Sequence, residues 1–88
     1  MKPEEMRAIV ILEKIYYGES VGKPLSYNEV AENSLFNREE IGQTLNFLVN
    51  QSLIRIGNKL KEGKTIPSYC SNSCSFFSAV EKLSSYFK

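Results

Sequence analysis

The chain has 88 residues, 42 % of them hydrophobic, with 11 basic and 10 acidic side chains and a net charge of +1. This length suits one small domain, and the near-neutral balance excludes a polybasic protein whose nucleic-acid affinity is dominated by counterion release. Histidine is absent, cysteine occurs twice and the five glycines are isolated, so no Ser-His or Cys-His pair, His-containing metal site or glycine-rich phosphate loop can be built.

Residues 4–17 read as a helix. Pro3 suits the first turn, Glu4 and Glu5 complement the positive end of the helix dipole, and Gly18 marks the end. Apolar side chains cover Met6, Ile9, Val10, Ile15 and Tyr17 on one side and spread to Ala8, Ile11, Leu12 and Tyr16. A helix so widely apolar wants two partners. It is either wholly buried in the core or divided between the core and a subunit interface. The longest apolar run, Ala8 to Leu12, is far short of the roughly 20 residues that cross a bilayer. The acidic opening does not suit a signal peptide, and a cytoplasmic protein is expected.

Glu19 to Leu25 contains Gly22 and Pro24 and reads as a loop. Ser26 then stands three residues before Glu29, the spacing of a capping box, and a short helix to about Asn33 follows with Val30 and Ala31 inward. Ser34-Leu35-Phe36 makes a turn. Asn37 and Glu40 repeat the box spacing at the start of a third helix, which runs to about Gln51 or Ser52. Ile41, Leu45, Leu48 and Val49, with Ser52, form its inward row, while Glu39, Gln43, Asn46 and Asn50 line the opposite face. Gly42 in a helix interior suggests a close helix–helix approach.

Leu53–Ile56 and Thr65–Cys70 look like two short strands joined by a long polar tip from Gly57 to Lys64. Pro67 places the second strand at a sheet edge. Ser75 caps a last helix, residues 76–87, with the stripe Phe76, Val80, Leu83 and Phe87, flanked by Phe77, Ala79 and Tyr86. The fold class is mainly α with a small β-hairpin (α+β), one domain over residues 1–88. Its parts are a helix at 4–17, a helix-turn-helix at 26–52, a hairpin at 53–70 and a C-terminal helix at 75–87.

The stretch LSYNEVAENSLFNREEIGQTLNFLVNQSLIRI, Leu25 to Ile56, resembles the winged-helix DNA-binding domains of prokaryotic regulators of the MarR, PadR and ArsR type. Leu25-Ser26 is similar to the capped start of the first helix of the pair, and Val30-Ala31 to its buried hydrophobic-alanine step. Ile41, Leu45 and Leu48 look like core positions of the recognition helix. Leu53-Ile54-Arg55 is similar to the passage into the wing. Ser52 stands where these families usually carry glycine. The resemblance implies a winged helix-turn-helix transcriptional regulator that binds duplex DNA as a homodimer through its terminal helices.

On the residues themselves, Asn37 and Arg38, then Gln43, Thr44 and Asn46, are donors and acceptors suited to base edges or phosphates. Arg55, Lys59, Lys61 and Lys64 against Glu62 leave a local +3 on the hairpin. Glu40 is expected to close its capping box. Glu39 has two readings: it accepts from a cytosine amino group, or its face never meets DNA. The expected dimer interface is Ile11, Leu12, Tyr16, Phe77, Val80, Leu83 and Phe87, although terminal aromatics could equally close the monomer's core. Cys70 and Cys74, at C-x₃-C spacing, are expected to be structural thiols; a reversible disulfide and a zinc site shared by two chains are the other options. No enzyme activity, cofactor or metal is expected; the sequence leaves a small-molecule effector open, and any sensing would use the dimer interface or the cysteines. The alternative to DNA binding is a winged-helix protein-interaction module.

Overall fold

The computed structural model describes residues 2–72 and 75–87. Six elements follow in order: α1 (Pro3–Ser20), α2 (Tyr27–Ala31), α3 (Arg38–Asn50), β1 (Ile54–Lys61), β2 (Lys64–Ser71) and α4 (Phe76–Tyr86). The described residues form a small α+β fold of four helices and a two-stranded antiparallel hairpin. Leu25 adds a single bridge to Tyr69, whose N–H donates to the Leu25 carbonyl at 2.8 Å.

α1 runs past Gly18, where the sequence suggested a stop. Gly18 is buried inside the helix, and the true terminator is Gly22 at φ +75°. The Lys23 N–H reaches the Gly18 carbonyl at 2.8 Å and the Gly22 N–H reaches Glu19 at 3.0 Å, which satisfies the last carbonyls. α2 stops at Ala31, two residues early. Asn33 takes φ +57°, and the Lys14 ammonium donates to the carbonyls of Val30 and Glu32 at 3.1 and 2.8 Å. A cation at a helix C-terminus is favourable on the dipole as well.

Both capping boxes form. The Ser26 hydroxyl accepts from the Glu29 N–H while Glu29 accepts from the Ser26 N–H, and Asn37 and Glu40 do the same. Ser75 accepts from the Ser78 N–H at 3.1 Å. Each of these helix starts was readable because the contact spans only three residues.

The hairpin is longer and tighter than the sequence suggested. β1 and β2 pair from Ile54↔Ser71 to Lys61↔Lys64, so the supposed polar tip is mostly strand. Only Glu62 and Gly63 turn, at φ +53° and +78°. A two-residue turn with both φ positive matches the right-handed twist of the strands it joins.

The core gathers Ala8, Ile11, Leu12 and Ile15 of α1 with Val30, Ile41, Leu45, Leu48, Leu53, Ile54, Ala79 and Leu83. α1 therefore buries Ala8, Ile11 and Leu12 together with Ile15, while Met6, Val10 and Tyr17 face outward. Ser52, expected inward, is exposed at φ +58°. The close approach to Gly42 is made by a ring: Tyr27 lies 3.8 Å from the position a Cβ would take.

Candidate nucleic-acid interface

The first turn of α2 is where separate parts of the chain meet. Glu29 closes the Ser26 box through Oε1, and the same oxygen receives the Lys59 ammonium from β1. Lys61 reaches Oε2 at 3.5 Å, and Lys59 also donates to the Pro24 carbonyl at 2.6 Å. The Lys59 ammonium and the Ser26 N–H together hold the Glu29 carboxyl well below its ordinary range, at about 2.

One residue earlier, the Asn28 Oδ1 accepts from the Arg38 guanidinium at 3.0 Å. The Arg38 guanidinium carbon sits 5.7 Å from the Tyr27 ring centroid, and the Tyr27 hydroxyl donates to the Arg38 carbonyl at 2.7 Å. The start of α3 and the distal hairpin are thus fixed to adjacent residues of α2. Lys23 lines the same depression as Glu29, Lys59 and Lys61. Three lysines (Lys23, Lys59, Lys61) thus share one depression with the Glu29 carboxylate, and Arg38 is held at the neighbouring Asn28. Lys23 carried no signal in the sequence; the hairpin's register brings the other lysines to it.

Alternation along the strands puts Arg55, Lys59 and Lys61 on one face of the hairpin, with Lys64 directly across from Lys61. Like charges facing each other across a hairpin are unfavourable for the fold. Arg55 and Lys64 are exposed.

The remaining sequence candidates divide. Arg38, Gln43 and Asn46 are exposed along α3, with Glu39 and Asn50 on the same face. The Gln43 amide donates to Glu39 Oε1 at 3.5 Å. Asn37 gives its side-chain oxygen to the Glu40 N–H at 2.8 Å and so caps its own helix. Glu40 turns back as expected, accepting from the Asn37 N–H at 3.1 Å and meeting Arg7 at 3.3 Å. Thr44 has to be withdrawn: it is 5 % exposed and accepts from Arg7 Nε at 2.8 Å, so it points into the fold. Lys59 likewise serves the fold, with its ammonium held by Glu29 and Pro24.

The expected dimer set also divides. Ile11, Leu12 and Leu83 are core residues at 2 %, 0 % and 1 % exposure, because α1 and α4 bury these rows against each other and α3. Tyr16, Val80 and Phe87 are half-buried, and Phe77 is 79 % exposed. Tyr16 meets Phe76 edge-on at 5.7 Å. Met6, Val10 and Tyr17, which the sequence placed on one apolar side of α1 without choosing between core and interface, stand exposed, as Phe77 does on α4. Cys70 is half-buried, and Cys74 with its C-x₃-C spacing lies outside the described residues. Among the described residues no helix is long and apolar enough to cross a membrane. No family model, curated protein or solved structure matches the chain.

Proposed function

We propose that the chain is a winged helix-turn-helix that binds duplex DNA as a homodimer and regulates transcription. The observation that carries this reading is the convergence at α2, where the start of α3 and the basic hairpin are tied to Asn28 and Glu29. The element order supports it: a helix, a single bridging residue, a helix pair, a hairpin and a last helix. α3 enters the major groove with Arg38, Gln43 and Asn46, and Arg55, Lys61 and Lys64 hold phosphates. Lys59 fixes the hairpin and does not touch the duplex.

Replacing Lys61 and Lys64 together with alanine tests this. Affinity should fall for every sequence, and the slope of log K against log salt should flatten by about two. An unchanged slope would remove the hairpin from the interface. Leu35, 99 % exposed in the turn between α2 and α3, favours a second reading as a protein-docking module. That module would show no salt-dependent retention on DNA in the same titration.

A further inference from the structure

We propose that the cleft between the start of α1, the middle of α3 and the end of α4 binds a small zwitterion with an apolar side chain, the chemistry of a hydrophobic α-amino acid. The cleft holds about 240 Å³. This lies below the roughly 300–1,000 Å³ of sites for larger ligands, a size that suits a single-ring or branched aliphatic molecule. One wall is aromatic. Phe47 meets Tyr86 edge-on at 4.7 Å and lies 5.7 Å from Phe87.

The wall contributed by α1 carries two opposite charges. Arg7 is 16 % exposed; its Nε donates to Thr44 at 2.8 Å and one terminal nitrogen reaches Glu40 at 3.3 Å. A guanidinium has five N–H donors, so a mostly buried arginine lines the cleft with donors still to place. Glu4 lies three residues earlier in α1, one turn away on the same face, and lines the same cleft. It makes no ion pair among the described residues. An anionic ligand alone would face the Glu4 carboxylate, and a cationic one alone would face Arg7. A carboxylate and an ammonium on one carbon match both, with the side chain against the aromatic wall. Gln43, at the cleft's edge, offers an amide for either group.

The proposal does not rest on the DNA reading, although Gln43 belongs to both surfaces. Its test is an amide NMR titration of the full chain with L-phenylalanine, 3-phenylpropionate and phenethylamine, the last two each lacking one charge. L-Phenylalanine should give saturable shifts at Ala8, Thr44 and Phe47 with a dissociation constant on the order of 1 mM or tighter. Each analogue should bind about tenfold or more weakly. Glu4→Gln changes an exposed side chain; it should weaken L-phenylalanine to the level of 3-phenylpropionate while leaving 3-phenylpropionate no weaker. No saturable shift up to about 10 mM, shifts centred elsewhere, equal binding of the three probes, or an unaltered Glu4→Gln variant would each overturn the proposal.

Discussion

Two glycines inside helices carry opposite instructions, and only the three-dimensional packing separates them. A methyl group added at Gly42 would lie 3.8 Å from Tyr27, an ordinary contact. Gly42→Ala should therefore gain the helix propensity of alanine, about 1 kcal/mol, which in a domain of this size raises Tm by roughly 4–8 °C. At Gly18 the same methyl would sit 2.8 Å from the Lys23 carbonyl and 2.9 Å from Leu25 Cγ. The loop that follows α1 is hydrogen-bonded there and cannot retreat, so Gly18→Ala should lower stability by about 1–3 kcal/mol despite better propensity. Thermal melts of the two variants should move in opposite directions. The sequence marked both residues as unusual; it took Gly18 for a helix end, and the helix approach it read at Gly42 comes through the Tyr27 ring of α2, because the neighbours that decide each case are not revealed by periodicity. Ser52 teaches the same lesson from the other side: its φ of +58° is the conformation that favours glycine, held here by a residue with a side chain.

At the scale of elements, what was legible was local. The capping boxes at Ser26 and Asn37 and the inward row Ile41, Leu45, Leu48 rest on contacts within one or two turns, and all of them form. The hairpin was read too short because lysines and Gly57 interrupt its apolar pattern, whereas its length follows from the Glu62-Gly63 turn and from pairing across strands. The tie between Glu29 and Lys59 spans 30 residues and was invisible to any local pattern. It makes a pH prediction. Glu29 is lowered from 4.5 to about 2, so the unfolded chain takes up its proton first as acid is added. The stabilisation is complete above about pH 4.5 and is lost as pH falls toward 2. Urea midpoints of the parent and Glu29→Gln should differ most at neutral pH and converge near pH 2. A difference that stays constant would mean that the Glu29 carboxylate gains nothing from Lys59 in the fold.

For the molecule as a whole, the question is what covers the outer side of α1. Met6, Val10 and Tyr17 are 54 %, 48 % and 67 % exposed, and Phe77 on α4 is 79 % exposed. Tyr16 and Phe76, half-buried at the junction of α1 and α4, carry apolar surface from one helix to the other. A chain of this size buries only about 60–65 % of its unfolded surface, so a two-fold contact between copies is an economical source of further burial. A stable interface needs about 800 Å² from each partner, more than four side chains provide alone, so the face must take in the neighbouring α4 surface around Val80. Sedimentation velocity should then find a dimer in the parent protein. Val10→Glu combined with Phe77→Glu should give a monomer with an unchanged far-UV spectrum, because both side chains already stand in solvent. Leu12→Ala supplies the contrast: its side chain is wholly buried within one copy, so the change should cost about 2–5 kcal/mol and unfold the chain before it changes the assembly. A double variant that sediments like its parent would show that this apolar face serves something other than a second copy. The DNA reading would then lose the symmetry that doubles its few phosphate contacts.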